Sequence, residues 1–101
     1  MKKQPYLITE KALNDINQIW LYTYENWSIK QADRYYNLIM SEIKYIAENI
    51  ESGKLMTHIK EGLRLSRIKS HLIFYKENKN NQAEIIRILH QSMDVPNRLN
   101  D

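Results

Sequence analysis

The stretch Ser70–His90, SHLIFYKENKNNQAEIIRILH, contains two apolar segments separated by a run of polar residues. Residues 70–76 form a near-continuous apolar run, which is typical of a central strand, and residues 83–90 predict the last strand of the chain. The polar residues between them, 77–82, favour a turn, since asparagine is a strong turn former. The stretch therefore predicts two strands joined by a turn in the C-terminal part of the chain.

Two further strands are predicted on the N-terminal side of this stretch. Residues 63–68, LRLSRI, alternate in character with a period of two, as a half-buried strand does, and Lys69-Ser70 can form a tight turn into the next strand. Residues 5–8, PYLI, form a short apolar run that also favours a strand.

The region between the first two strands predicts two helices. Thr9 can cap a helix from Glu10 to about Glu25. Residues spaced three and four apart form one stripe along this helix, namely Ala12, Ile16, Ile19, Trp20 and Thr23. Ser28 and Gln31 form a capping box, which starts a second helix with its own apolar stripe.

The second helix is expected to continue to Gly53, which can end it in the left-handed conformation. The two helices then form a hairpin whose apolar stripes pack on the sheet. The element order is β-α-α-β-β-β, which places the chain in the α+β class, and the tail after Met93 is expected to be irregular.

Composition and charge restrict the kinds of protein that this chain can be. A chain of 101 residues with 43% apolar residues is expected to form a single domain over residues 1–101. Cysteine is absent, and the N-terminus has neither a secretory signal nor a membrane span, so we expect a cytoplasmic protein. The net charge of +3 is concentrated in residues 54–101, which have nine basic and five acidic side chains and favour an anionic partner.

Four short segments, in this order and spacing, resemble the ParE toxins of the RelE/ParE toxin-antitoxin superfamily. They are Ala12-Leu-Asn-Asp-Ile with Ile19-Trp20, Trp27 followed by Gln31-Ala32 and Tyr35, Gly62-Leu63-Arg64, and His71-Leu-Ile-Phe-Tyr75 followed by Ile88-Leu89-His90 and Asp94. The resemblance covers about nine-tenths of the chain. It implies a helical hairpin packed on a small twisted antiparallel sheet.

The resemblance also implies a function, a bacterial toxin that arrests growth, contributes to plasmid or genome stabilisation and is neutralised by a cognate antitoxin. ParE members are known for poisoning DNA gyrase, whereas RelE members cut messenger RNA on the ribosome. We expect no cofactor, no metal and no small-molecule substrate, and both a homodimer and a heterotetramer with antitoxin are open.

Ribonuclease chemistry requires a base, cations that hold the phosphate and an acid for the leaving oxygen. The candidates for these roles are Lys60, Arg64 and Arg87 as cations and His90 as the group that titrates near neutral pH. The ribonuclease branch often has a tyrosine directly after the histidine, but this chain has Gln91, which cannot transfer a proton. The catalytic set is therefore incomplete.

Alternation along the last strand separates two of these candidates. Ile86, Ile88 and His90 are expected on one face of the sheet, and Ile85, Arg87 and Leu89 on the other, unless a bulge intervenes. Arg87 and His90 then cannot easily form one catalytic pair. An unpaired cation among isoleucines is costly, so Arg87 is expected either to pair with Glu84 or Glu61 or to lie on a surface that a partner covers.

We therefore predict a ParE-like toxin that binds gyrase and has no catalytic residues of its own. The residues predicted to contact the target or the antitoxin are Arg64, Arg67, Tyr75, Arg87 and His90. The first alternative is a ribosome-dependent ribonuclease that uses Lys60, Arg64, Arg87 and His90. The second is a homologue that binds antitoxin but is not toxic.

Overall fold

The computed structural model describes residues 5–100, which form one mixed sheet and three α-helices. The elements in chain order are β1 (Tyr6–Ile8), α1 (Glu10–Asn26), α2 (Ile29–Glu48), β2 (Lys54–Leu55), β3 (Arg64–Ile68), β4 (His71–Glu77), β5 (Ala83–His90) and α3 (Val95–Leu99). The strand order is β1-β5-β4-β3-β2. Strands β2 to β5 pair with one another in antiparallel, and β1 pairs with β5 in parallel, so the α+β fold is confirmed with a mixed sheet.

Both helix starts are determined by the residues predicted to cap them. The Thr9 hydroxyl accepts a hydrogen bond from the Ala12 amide at 3.1 Å, and the Ser28 hydroxyl accepts one from the Gln31 amide at 3.1 Å. Each bond satisfies an amide that has no partner inside the first turn. The short connection at residues 27–28 therefore turns the chain directly into an antiparallel helical hairpin.

The predicted end of α2 at Gly53 is wrong. The helix ends at Glu48, and a short 3₁₀ turn, Ile50–Ser52, follows it. Gly53 adopts an extended conformation with φ −73° and ψ 153°, so it does not need the left-handed region. Glycine is required there for space, because an added Cβ would lie 2.8 Å from two ring carbons of the buried Tyr75.

Two elements were not predicted from the sequence. The two-residue strand β2 lies at the edge of the sheet beside β3, and α3 replaces the irregular tail expected after Met93. Pro96 lies in the first turn of α3, where a missing amide hydrogen costs nothing.

The sheet separates two apolar clusters. On one face, the helical hairpin buries Ile16, Ile39 and Ile43 against Ile73 and Ile85. On the other face, Leu72, Phe74 and Leu89 pack with Leu63 and with side chains of α3. At about 1.5–3 kcal/mol for each fully buried large apolar side chain, the hairpin face contributes most of the hydrophobic stabilisation because it is the larger cluster.

A β-bulge interrupts the alternation of β5. Phe74 pairs with Arg87 but Tyr75 pairs with Ile85, so Ile86 is an extra residue on β5. As a result, Ile85 and Ile88 both belong to the cluster on the hairpin side, whereas Ile86 packs in the other one. The predicted faces of Ile85 and Ile86 are therefore wrong, and the alternation holds only beyond the bulge.

Candidate functional site

A groove of about 1010 Å³ lies between the helical hairpin and one end of the sheet. We call it the hairpin groove. Its helical walls include Tyr22 of α1 and Trp27 directly after it, and its opposite wall includes Lys69 in the β3–β4 turn. His71 and His90 line the groove where β4 and β5 meet.

The two histidines of the groove are direct neighbours. His71 and His90 are opposite each other in the β4–β5 register, and their ring centroids are 5.2 Å apart in an edge-to-face arrangement. The Tyr35 hydroxyl oxygen of α2 is 2.6 Å from His71 Nδ1 and also donates to the Ile68 carbonyl at 3.3 Å. His90 Nδ1 accepts a hydrogen bond from the Ser92 amide at 3.1 Å and lies 2.7 Å from the Ser92 hydroxyl oxygen.

Burial makes Tyr35 and His71 hard to charge. Burial and, to a smaller extent, the neighbouring His90 together lower the pKa of His71 from 6.5 to about 4. Burial also raises the pKa of Tyr35 above its ordinary value of 10.0. Both side chains are therefore neutral at pH 7, so His71 offers hydrogen bonds to the groove but no charge.

The lowered pKa of His71 predicts a loss of stability in acid. Between pH 6.5 and about 4 the unfolded chain binds a proton at His71 and the folded chain does not, so the free energy of unfolding falls as the pH falls. His71 is partly exposed, so we expect a loss on the order of 1 kcal/mol. Urea unfolding of the wild type and of His71→Asn at pH 7.5 and 4.5 measures this. A pH dependence that is the same in both proteins would contradict the prediction.

Arg87 is held inside the protein by Asp15. Its Nε and Nη2 donate to the two carboxylate oxygens of Asp15 at 2.8 and 3.0 Å, and its Nη1 donates to the Arg98 carbonyl of α3 at 2.7 Å. Asp15 also accepts from the Ile88 amide at 2.9 Å, on the part of β5 that β1 does not cover. The expected ion pair exists, but its predicted partners, Glu84 and Glu61, were wrong because the open edge of β5 faces α1.

Arg64 and Tyr75 are also committed to internal contacts. Arg64 Nη1 donates to the carbonyls of Glu51 and Gly53 at 3.1 and 2.8 Å. Tyr75 is 0% exposed, and its hydroxyl donates to the Ile50 carbonyl and accepts from the Gly53 amide, both at 2.8 Å. The prediction that Tyr75 lies on a binding surface is therefore wrong, because all of its surface is covered by the chain itself.

The remaining candidates do not lie together. Arg67 is exposed and donates to the Gln91 side chain at 3.0 Å. Lys60 is exposed beside α3, next to a small cavity that Leu63 and Leu99 also line, on the sheet face opposite the hairpin groove. The four residues predicted for ribonuclease chemistry therefore do not converge, and of these only His90 lines the groove.

Several groove residues were not identified from the sequence, namely Tyr22, Arg34, Tyr35, Lys69 and His71. A spacing of 36 residues separates Tyr35 from His71, and no local pattern joins them. The residues 5–100 also contain no group of three or more histidine, aspartate or glutamate side chains that could hold a metal ion. Within the same range, no helix is long and apolar enough to cross a membrane.

Comparison with known proteins identifies relatives over nearly the whole chain. Residues 6–95 match the family model of the ParE toxin of the type II toxin-antitoxin system, parDE. The chain is 34% identical over 92 residues to Toxin ParE1 of Caulobacter vibrioides, which covers 91% of this chain and 94% of that protein. It is 32% identical over 94 residues to Toxin ParE1 of Mycobacterium tuberculosis, which covers 93% of this chain and 96% of that protein.

A solved structure supports the fold. The structure is similar, with a TM-score of 0.71, to a chain of the chromosomal ParDE TA system from P. aeruginosa, and the match covers 84% of this chain and 92% of that chain. The sequence identity is 18%, so this similarity concerns the fold alone. The family match over residues 6–95 and the relatives of 34% and 32% identity show that this chain belongs to the ParE family of toxins from type II toxin-antitoxin systems.

Proposed function

We propose that this toxin arrests growth by binding DNA gyrase and that a cognate antitoxin neutralises it. The observation that carries the proposal is the match to the ParE family over residues 6–95, since ParE toxins are known for poisoning gyrase. The internal contacts of Arg64 and Arg87 support it, because two cations that a ribonuclease would need for the phosphate are already committed to protein acceptors.

A gyrase poison needs a binding surface and no general base. Such a toxin is a ligand that favours one state of the gyrase–DNA complex. It can shift the equilibrium between the states only by the difference in its affinity for them. The hairpin groove is the best candidate for this surface. Its volume is about 1010 Å³, and the exposed aromatic rings of Tyr22 and Trp27 line its wall.

The antitoxin is expected to neutralise the toxin by covering this groove. The groove is suited to an acidic segment that also has apolar side chains. Trp27 and Met93 offer it exposed apolar surface, and Arg34 and Lys69 supply positive charge. This replaces the surface first predicted around Arg64, Arg67 and Arg87, of which Arg67 is the exposed member. Arg67→Ala is therefore a separate test of whether the antitoxin reaches beyond the groove.

The gyrase proposal predicts inhibition in a purified system. Supercoiling by gyrase is expected to decrease with increasing toxin, and cleaved DNA is expected to accumulate, because a bound ligand holds the cleaved state. Gel analysis of plasmid topoisomers and of linear DNA measures both. Toxin mixed beforehand with its antitoxin is the control and should restore supercoiling. If neither supercoiling nor cleavage changes at toxin concentrations far above that of gyrase, the proposal is wrong.

The second candidate is cleavage of RNA, which the neighbouring pair His71 and His90 favours because two imidazole rings can divide the roles of acid and base. The low pKa of His71, about 4, weakens it as a base, and Nδ1 of His90 is already occupied by the amide and the hydroxyl of Ser92. Primer extension on cellular messages would reveal new 5′ ends in this case. A homologue that binds antitoxin but is not toxic would produce neither effect.

A further inference from the structure

The hairpin groove carries two aromatic rings that the fold does not use for packing. Trp27 is 66% exposed and Tyr22 is 61% exposed, and both line the groove. Their centroids are 6.1 Å apart with an interplanar angle of 61°, an edge-to-face arrangement that leaves the face of at least one ring open. A flat, exposed ring in the wall of a groove is a surface on which another planar group can stack.

The charge of the groove is positive. Arg34 of α2 and Lys69 of the β3–β4 turn come from different walls, and neither forms an ion pair with a carboxylate within residues 5–100. The acidic residue of the lining is Asp15, whose carboxylate is occupied by Arg87 and by the Ile88 amide. An anionic chain that enters the groove therefore meets two available cations and no free carboxylate of the lining.

The lining also supplies polar side chains that can form hydrogen bonds. These are the rings of His71 and His90, the amides of Gln18 and Gln31, and the hydroxyls of Ser70 and Ser92. Such groups can both donate to and accept from the edges of unpaired bases. Exposed aromatic rings beside cations and amides are the combination by which proteins bind single-stranded nucleic acid, since every base has a face that can stack.

We infer that the hairpin groove binds a single strand of nucleic acid, with one or two bases stacked on Trp27 and Tyr22 and the adjacent phosphates held by Arg34 and Lys69. Duplex does not satisfy this site, because its bases are already stacked on each other. The inference goes beyond the proposed function, since strand binding is a property of the free toxin. An antitoxin that covers the groove then excludes the strand as well as gyrase.

The test is fluorescence anisotropy of the full chain with labelled oligothymidylate and oligouridylate, with a duplex of the same length for comparison. We expect both single strands to bind and the affinity to fall as salt rises. Trp27→Ala should weaken binding by roughly tenfold, the loss of one stacked base. Arg34→Gln and Lys69→Gln should each reduce the slope of log affinity against log salt by about 0.7.

Matched controls come from the same protein. Tyr45 is a 51% exposed aromatic residue of α2 outside the groove, and Lys79 is an exposed lysine in the β4–β5 turn. Tyr45→Ala and Lys79→Gln should leave the affinity unchanged. Trp27 is exposed, so its replacement should not unfold the chain, which circular dichroism verifies.

The outcomes separate the alternatives. Stronger binding of oligouridylate than of oligothymidylate would still support the groove as a strand site and would identify RNA as its ligand. The inference would be overturned if neither single strand binds, or if the duplex binds as tightly as the single strands. It would also be overturned if Trp27→Ala binds them as tightly as the wild type, or if an acidic peptide binds equally well without depending on Trp27. If Trp27→Ala loses strand binding and still inhibits gyrase, strand binding is not the cause of inhibition, whereas strand binding without gyrase inhibition contradicts the proposed function alone.

Discussion

Replacement of Arg87 by methionine is expected to lower the free energy of unfolding by about 3 kcal/mol, one of the two largest effects that we predict. The guanidinium and the carboxylate of Asp15 are each 12% exposed, so loss of the cation leaves a largely buried negative charge with one remaining partner, the Ile88 amide. The change also removes the hydrogen bond to the Arg98 carbonyl that ties α3 to β5. Equilibrium unfolding in urea at pH 7 measures the loss.

Arg67→Met is the matched control for this prediction. Arg67 lies on β3 of the same sheet but is exposed and donates only a side-chain bond to Gln91, so its replacement should cost less than about 1 kcal/mol. The double variant Asp15→Asn with Arg87→Met should recover part of the loss, because the buried charge is gone. Equal effects of Arg87→Met and Arg67→Met would show that the ion pair has no special role.

The second large effect is expected for Gly53→Ala, which should also lower the free energy of unfolding by about 3 kcal/mol. The new methyl group would lie 2.8 Å from the Cε1 and Cζ atoms of Tyr75, whose ring is fully buried and cannot move away freely. A displaced ring loses the hydrogen bonds of its hydroxyl with the Gly53 amide and the Ile50 carbonyl. Thermal and urea unfolding measure the change.

Ser52→Ala is the control, because Ser52 is exposed beside Gly53 and its replacement adds no atoms. It should change the stability by less than about 0.5 kcal/mol. In a Tyr75→Phe background, Gly53→Ala should cost less than in the wild type, since the hydroxyl that lies nearest to the added methyl group is gone. Strict additivity of the two changes would contradict the proposed contact.

Most elements of the fold follow from local patterns. Thr9 and Ser28 mark the helix starts because a hydroxyl at the cap position binds an otherwise unpaired amide, and the structure has both bonds. The last strand, residues 83–90, was predicted with its observed bounds because its ends coincide with polar turns. The end of α2 was missed, since the need for a glycine at residue 53 comes from Tyr75, 22 residues further along the chain.

The candidate site was predicted only in part. His90 lines the hairpin groove, whereas Arg64 and Arg87 were identified as unusual cations without their acceptors. Those acceptors are a backbone carbonyl 11 residues away and a carboxylate 72 residues away. A cation in an apolar strand shows that a partner must exist, because its burial is otherwise too costly, but it does not indicate which partner.

The sequence by itself determined the class of the fold, the helical hairpin, the identity of the central strands and the resemblance to ParE toxins, because caps, turns and periodicity act between near neighbours. Only the tertiary structure decided where the histidines meet. If the pairing continued from Glu77 and Ala83 without a bulge, His71 would be opposite Leu89. The extra residue Ile86 shifts the register by one residue, so His71 is opposite His90 instead. Nothing in a run of isoleucines marks this bulge, since each could face either side. Packing against the hairpin and α3 selects it.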